Sequence, residues 1–207
     1  MRIINPQEHD PSDIYKLMIG AIVPRPIAFV SSVDAKGVRN LAPFSYFTGC
    51  STNPPVVCFC TAVRSGPRPH KDTLENIEAT GEFVVNVVSE EFAAQMNKTS
   101  AEVAPGVDEF VLSGLTPLPS DLVKPPRVAE SKVQMECRLR QIVRVSEKPG
   151  GGVLVLGEVL RFHVLESLFD DPKGGYKIDP DRLLAIGRMG GPTYTRTRDR
   201  FKMERPR

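Results

Sequence analysis

The chain has 207 residues, of which 41% are hydrophobic and 25% charged, and its formal net charge is +2. These are ordinary values for a globular protein, so composition argues against a disordered chain, and the small net charge gives no electrostatic basis for binding nucleic acid. No apolar run approaches the roughly 18 residues of a membrane-spanning helix, and the N-terminus lacks the pattern of a signal peptide, so we expect a cytoplasmic protein without membrane partners.

The first third of the chain predicts one short helix followed by antiparallel strands. Asp10 is a capping residue ahead of apolar positions at helical spacing, and the turn residues of 34–37 separate two β-like runs. Asn53, Pro54 and Pro55 end the second run, because proline cannot donate to a strand ladder. The predicted elements are a helix ending at Gly20 and strands over residues 26–33, 38–51 and 56–62.

The middle of the chain predicts short helices around one strand and then a long connection. We expect helices over residues 71–78 and 90–97 and a strand over residues 83–88. Residues 101–126 are rich in Pro, Gly and Ser, which predicts a loop. A loop of this length in a compact domain usually serves as a lid or an interface arm.

Two long strands follow this loop. The first alternates apolar and polar residues, which is typical of a half-buried antiparallel strand. The second, over residues 153–165, is apolar on both faces, which suggests a barrel interior on one side and a partner subunit on the other. In the first strand the apolar face comprises Val133, Met135, Cys137, Leu139, Val143 and Val145, and the polar face Gln134, Glu136, Arg138, Arg140 and Arg144. In the second strand one face comprises Leu154, Leu156, Leu160 and Phe162, and the other Val153, Val155, Val159 and Leu165.

These elements predict a mainly β fold. Several strands with only short helices between them favour an antiparallel barrel over a doubly wound sheet. No repeat or compositional break divides the chain, so residues 1–207 are expected to form a single domain. The basic residues of the tail, 195–207, predict a solvated or partner-clasping segment, with a phosphate or nucleic-acid contact as the alternative.

Neither the cysteines nor the short motifs of the chain point to a metal site or to a common catalytic site. Cys50, Cys58, Cys60 and Cys137 have no CxxC spacing and no histidine at zinc-ligand spacing. Cys58 and Cys60 would lie on one face of a strand about 6.6 Å apart, which is a poor distance for a disulfide, so we interpret them as reduced core thiols. A nucleophile elbow, a P-loop, HExxH and a helix-opening GxGxxG are all absent, so any redox chemistry belongs to a cofactor.

A set of segments, taken in order and spacing, resembles the flavin reductase-like family of FMN-binding split β-barrels. The resemblance covers the chain from about Tyr15 to Tyr194, and the ordered set carries it more than any single motif. The segments are RPIAFVSS at 25–32, NLAPFSYF at 40–47, PPVV at 54–57, KDTLENI at 71–77, GEFVVN at 81–86, VDEF at 107–110, LTP at 115–117, PPRV at 125–128 and GEV at 157–159.

The resemblance implies a six-stranded antiparallel split β-barrel with a few short helices, which dimerises and holds FMN near the subunit interface. The strand with Pro43, Phe44, Ser45 and Tyr46 would run beside the isoalloxazine ring, and Ser51 follows on the same strand. The hydroxyls and backbone groups of Ser45 and Tyr46 are the first candidates for flavin contacts, because donors near the ring favour its electron-rich reduced form. A serine and a tyrosine that merely satisfy a strand edge are the alternative.

The phosphate of FMN requires cationic and hydroxyl donors at the start of a helix. Lys71 and Thr73 supply these, and Arg64 and Ser65 in the preceding loop add to them. An ordinary helix cap is the alternative for Thr73.

Four further candidates lie late in the chain. Arg188, Gly190 and Tyr194 resemble the family's segment that closes over the flavin, where glycine allows close approach and an aromatic ring covers the flavin ring. A plain turn is the alternative. His163 is the candidate catalytic residue, because it titrates near neutral pH and could donate to the flavin or the nicotinamide. A structural histidine is the alternative.

Together these expectations predict an NAD(P)H:FMN oxidoreductase that takes a hydride from NADH or NADPH and passes electrons to free flavin or to a flavin-dependent or redox protein. Such transfer depends mainly on orientation of the two rings. A flavoredoxin-like electron carrier with tightly bound FMN is the alternative, and a cofactor-free dimeric binding module is a third. The sequence leaves open the choice between NADH and NADPH, the electron acceptor, and whether FMN is released.

Overall fold

The computed structural model describes residues 1–171 and 175–206, and in this part of the chain strands dominate. In chain order the strands are β1 (Ala28–Val33), β2 (Arg39–Phe44), β3 (Phe47–Thr52), β4 (Pro55–Ala62), β5 (Glu82–Val87), β6 (Pro117–Leu118), β7 (Arg127–Val128), β8 (Val133–Arg144), β9 (Gly152–Val164), β10 (Ile186–Arg188) and β11 (Tyr194–Arg196).

The helices of the same residues are short. They are α1 (Pro11–Ala21), α2 (Asp72–Thr80), α3 (Ala93–Lys98), α4 (Glu109–Ser113) and α5 (Pro180–Leu183), with 3₁₀ turns at Pro6–Glu8, Glu90–Phe92 and Glu166–Leu168. None of the helices within 1–171 and 175–206 combines the length and the apolar character that a bilayer crossing requires.

Seven strands form one antiparallel sheet in the order β2-β1-β5-β8-β9-β4-β3. The sheet curls on itself, since the ring of Phe44 on β2 lies 4.9 Å from that of Phe59 on β4, centroid to centroid. This curl confirms the expected antiparallel barrel, with seven strands in place of six.

The extra strand arises at Ser45 and Tyr46. The sequence predicted one continuous strand over residues 38–51, and that prediction was wrong. Up to Phe44 the chain pairs with β1, and from Phe47 onward it pairs with β4. Between the two, the backbone N–H of Cys60 on β4 donates to the carbonyl of Tyr46 at 2.9 Å. The break therefore marks a change of strand partner.

Two apolar layers stabilise the barrel, and β1 contributes to both. Its residues alternate, with Ala28 and Val30 in the barrel interior and Phe29 in an outer layer. All six residues of β1 are buried, including Ser31 and Ser32, which donate to the Pro126 carbonyl and to Asn40. The interior also holds Phe59, Phe83, Leu74, Ile77, Val85, Cys137 and Val155. The outer layer includes Leu41, Phe92, Met96, Phe110 and Ile186.

The expected alternation of β8 is wrong at both ends. Glu136, assigned to the polar face, is 0% exposed, whereas Val143, assigned to the apolar face, is 38% exposed. Register shifts between Glu136 and Cys137 and between Leu139 and Gln141 interrupt the alternation. In addition, residues 101–126 cover the start of the strand, so polar groups there are buried.

Residues 101–126 are more ordered than a plain loop, because they contain α4 and β6. Glu136 anchors the segment: its carboxylate accepts the backbone N–H groups of Asp121 at 3.0 Å, Leu122 at 2.6 Å and Val123 at 3.1 Å. This buried carboxylate thus holds residues 121–123 of the long connection against the barrel.

The two faces of β9 differ. The inward residues Val153, Val155 and Val159 are buried as expected. The outward residues Leu154, Leu156 and Leu160 are only half-buried, and Phe162 is 54% exposed. An apolar face of the barrel is therefore open within one chain.

Candidate functional site

The break at Ser45 and Tyr46 is organised by the buried side chain of Arg25. The Arg25 Nε donates to Ser45 Oγ at 3.3 Å, and the guanidinium carbon lies 5.9 Å from the centre of the Tyr46 ring. Phe44 points into the barrel and is buried, while Pro43 pairs with Phe29 on β1 and is half-buried. At the break, Ser45 and Tyr46 are therefore half-buried at the surface of the barrel, whereas Phe44 lies in its interior.

The hydroxyl of Tyr46 has no hydrogen-bond partner although it is buried. Burial is the main reason that the pKa of Tyr46 is raised, with Tyr15 adding to the effect and Arg25 opposing it. A buried hydroxyl without a partner is rare in folded proteins and costs about 1–3 kcal/mol. This oxygen is therefore a donor that a bound molecule could satisfy.

A polar cavity that contains two cations lies beside β2, at the start of α2. Lys71 is the residue before the helix, and its Nζ lies 5.7 Å from the centre of the Phe44 ring. Burial lowers the pKa of Lys71, and the positive charge of Arg64 lowers it further. The cavity is lined by Asn40, Ala42, Arg64, Lys71, Asp72, Thr73, Thr99, Ala101, Glu102, Val103 and Glu109.

Arg64 enters this cavity from the loop after β4. Its Nη2 donates to the carbonyl of His70 at 2.5 Å, and its Nη1 lies 3.7 Å from a carboxylate oxygen of Glu102. The Nε of Arg64 is buried without a partner. The cavity therefore offers an anion two cations and an unused N–H donor, alongside the carboxylates of Asp72, Glu102 and Glu109.

The rear wall of the cavity is a hydrogen-bond network that sequence reasoning missed. Thr73 Oγ1 donates to Asn40 Oδ1 at 2.7 Å, and Asn40 Nδ2 donates to Glu109 at 3.0 Å. Glu109 also accepts the backbone N–H of Leu41 at 3.0 Å. Burial raises the pKa of Glu109, against the opposing effect of these donors. The Thr73 hydroxyl is thus used in a hydrogen bond within the protein. Asn40 and Glu109 were not predicted as site residues, although both lie in segments that carry the family resemblance, 40–47 and 107–110.

The C-terminal candidates pack beside the break. Arg25 and Arg188 exchange backbone hydrogen bonds of 2.9 and 2.8 Å. The Arg188 guanidinium lies 4.5 Å from the centre of the Tyr194 ring, and the Tyr194 hydroxyl donates to Asn97 at 3.1 Å. A Cβ at Gly190 would lie 3.6 Å from the Gly20 Cα, an ordinary contact.

Three predicted residues lie away from this group within one chain. Ser51 is exposed near the end of β3, where its hydroxyl accepts the N–H of Asn53 at 3.3 Å. Ser65 is exposed beside Arg64. His163 lies far from the break along β9. Leu154 of β9 pairs with Cys60, which bonds to Tyr46, and His163 is nine residues, or about 30 Å of strand, further on.

His163 instead belongs to the anchor of residues 101–126. Its Nε2 lies 2.5 Å from Glu136 Oε1 and 4.0 Å from Asp121 Oδ2. Asp121 is also paired with Arg161 at 2.6 Å. Both Glu136 oxygens already accept backbone N–H groups, which gives this cluster a structural role.

The basic tail folds back onto the chain. Arg196 and Arg198 both contact Glu90 at 2.9 Å, and Arg200 contacts Asp181 at 2.6 Å. Arg207 lies outside the described residues.

Comparison with known proteins gives a consistent result. Residues 19–179 match the family model described as a flavin reductase like domain. An uncharacterized protein of Halalkalibacterium halodurans is 35% identical over 205 residues, which cover 98% of this chain and 96% of that protein.

Two crystal structures share the architecture. Nitrilotriacetate monooxygenase component B from Bacillus cereus is 37% identical, with a TM-score of 0.90 and 98% of each chain covered. The 2-nitrobenzoate 2-nitroreductase of Pseudomonas fluorescens is 31% identical, with a TM-score of 0.88 over 99% of this chain and 96% of that chain.

Proposed function

The chain belongs to the flavin reductase-like family, and from this membership we propose that it is an FMN-binding NAD(P)H:flavin oxidoreductase. The observation that carries the proposal is the pair of cations in the polar cavity beside β2. Lys71 and Arg64 lie there largely removed from water, with the start of α2 next to them. A helix start and two cations form a favourable site for a phosphate group.

The residues present fit FMN at both ends of the molecule. From Ala42, which lines the cavity, to Ser45 at the break is three residues, or about 10 Å of strand. Lys71 and Arg64 would hold the phosphate, and Ser45, Tyr46 and nearby backbone groups would bind the polar edge of the ring. The buried, unpartnered hydroxyl of Tyr46 supports this placement.

When bound, FMN supplies the redox chemistry by accepting a hydride from a reduced nicotinamide. The contribution of the protein is to orient and to exclude water, since direct hydride transfer requires no protein acid. Arg25 holds Ser45 in position. Arg188 and Tyr194, stacked at 4.5 Å, form a wall beside the break.

The proposal includes a homodimer and a protein acceptor. The half-buried outer face of β9, with Leu154, Leu156 and Leu160, supports a second copy as the covering surface. A flavin-dependent monooxygenase is the proposed acceptor, by analogy with the component B relative. The free thiols Cys50 and Cys58 accord with a cytoplasmic location.

An anaerobic titration tests the proposed reaction. Protein reconstituted with FMN is passed through gel filtration and titrated with NADH and, separately, with NADPH, while the flavin absorbance is followed. Rapid bleaching by either nucleotide is expected. Bound FMN that stays oxidised with both would contradict the reductase and favour the electron carrier, and protein that fails to bind FMN would contradict both.

A further inference from the structure

Arg25 is a buried cation that pairs with no carboxylate among the described residues. It is 4% exposed. Its Nη1 donates to the carbonyls of Ile19 and Ile22, both at 2.7 Å, and its Nη2 to that of Met189 at 3.0 Å. Its fourth acceptor, the hydroxyl of Ser45, is also uncharged. Four of the five guanidinium N–H groups thus have a protein acceptor, and none of these acceptors carries a negative charge.

The surroundings of Arg25 contain no anion either. Across residues 1–171 and 175–206, Arg25 forms no ion pair within 4.0 Å, whereas Arg39 and Arg64 each do. Besides Arg25 itself, the titratable groups that act on Tyr46 are Tyr15 on α1 and Cys60 on β4, and Arg188 on β10 pairs with Arg25 through the backbone. None of these is a carboxylate. A buried cation in such a setting is costly, and a bound anion would offset the cost.

We propose that the buried positive charge of Arg25 favours the reduced form of the bound flavin and so raises its reduction potential. This inference rests on the proposed function, because it requires the flavin ring beside Ser45 and Tyr46. It adds to that function a residue that sets the balance between the oxidised and the reduced state.

The charge balance of the reaction gives the reason. A hydride carries two electrons and one proton, so the nicotinamide leaves as its oxidised cation and the flavin gains one negative charge. That charge persists unless a second proton is taken up from water. A fixed positive charge in a site of low dielectric constant therefore stabilises the product more than the starting state.

The geometry also explains why this position holds arginine. The planar guanidinium reaches four acceptors on three segments, at the end of α1, at the break after β2 and at Met189 beside β10. A lysine ammonium keeps the charge but has three donors and no fork, so it cannot reproduce this set. Charge and geometry can thus be separated by two substitutions.

The test measures the midpoint potential of bound FMN in the intact protein, by anaerobic equilibration with a reference dye, for wild type, Arg25→Gln and Arg25→Lys. Arg25→Gln is expected to weaken binding of reduced relative to oxidised FMN by about tenfold or more, which for a two-electron couple is a potential about 30 mV lower. Arg25→Lys is expected to keep most of the wild-type value. Arg39→Gln is the matched control, because Arg39 is already paired with Asp108, and its potential should equal that of wild type.

Equal potentials in wild type and Arg25→Gln would overturn the inference. So would equal losses in Arg25→Gln and Arg25→Lys, since the effect would then come from geometry and not from charge. A wild type that binds no FMN would overturn the proposed function as well, so the two failures are distinguishable.

If Arg25→Gln does not fold, the pH dependence of the potential in the wild type tests the proposal instead. The potential of a two-electron couple falls by about 59 mV per pH unit when two protons are taken up and by about 30 mV when one is. The change to the shallower slope is expected at a lower pH for bound FMN than for free FMN in the same buffer. A change at the same or a higher pH would refute the proposal.

Discussion

Replacing Lys71 by methionine should weaken the binding of FMN and leave the binding of riboflavin nearly unchanged. Methionine keeps much of the side-chain stem over Phe44 and removes the charge. A hydrogen bond to a charged group contributes about 1.5–3 kcal/mol, so the dissociation constant for FMN should rise by about 10- to 150-fold. Riboflavin lacks the phosphate, so its affinity should change by less than about threefold.

The pH dependence of binding follows from the position of Lys71. Its pKa lies below the ordinary value because of burial and Arg64, and a bound phosphate favours the charged form. FMN affinity should therefore fall as the pH rises through this lowered pKa, while riboflavin affinity should not.

Quenching of flavin fluorescence measures both ligands in parallel. Lys98→Met is the matched control, because Lys98 is exposed and only its neighbour Thr99 lines the cavity. Equal weakening of FMN and riboflavin, or unchanged FMN binding, in Lys71→Met would refute the assignment of the phosphate to this cavity.

Three further substitutions test the barrel and the break. Glu136→Gln should lower the free energy of unfolding by about 2–4 kcal/mol, since backbone N–H groups lose a buried carboxylate; chemical denaturation measures this. Burial acts to raise the pKa of Glu136, but its hydrogen bonds hold it below the ordinary value, so the difference from wild type should shrink as the pH falls below about 4. Gly157→Ala should cost about 1–3 kcal/mol and lower the melting temperature, because its Cβ would clash with the Phe83 ring inside the barrel. Tyr46→Phe should leave the flavin-free protein as stable as wild type or up to about 1 kcal/mol more stable, yet weaken FMN binding about fivefold in a fluorescence titration.

Each of these has a control or an opposing outcome. Glu158→Gln is the control for Glu136, because Glu158 is a half-exposed partner of Arg140 and should cost less than about 1 kcal/mol. A Glu136 variant as stable as wild type would show that residues 101–126 are held by other contacts. A Gly157→Ala variant with an unchanged melting temperature would mean that Phe83 can move to make room for the methyl group. A Tyr46→Phe variant with unchanged FMN affinity would show that the Tyr46 hydroxyl does not contact the flavin.

The sequence predicted the elements whose patterns are local. The strand expected over residues 26–33 is present as β1, Ala28–Val33. Lys71 and Thr73 lie at the start of a helix as expected, because capping and turn residues act over a few positions. The antiparallel barrel follows from such local patterns.

What the sequence missed depends on contacts between distant residues. The break at Tyr46 requires a hydrogen bond from Cys60, and no local propensity marks it. Glu136 looks like a surface residue until residues 121–123 fold over it. The sequence gives no indication that the charge of Arg25 is buried without a carboxylate partner. Its burial depends on contacts with residues from three separate segments of the chain.

The most direct test of the account is a crystal structure of the protein soaked with FMN. The account predicts density for one FMN per chain, with its phosphate against Lys71 and Arg64 and its ring beside Ser45 and Tyr46. Density at another place on the barrel, or none in crystals whose protein binds FMN in solution, would contradict the placement of the site.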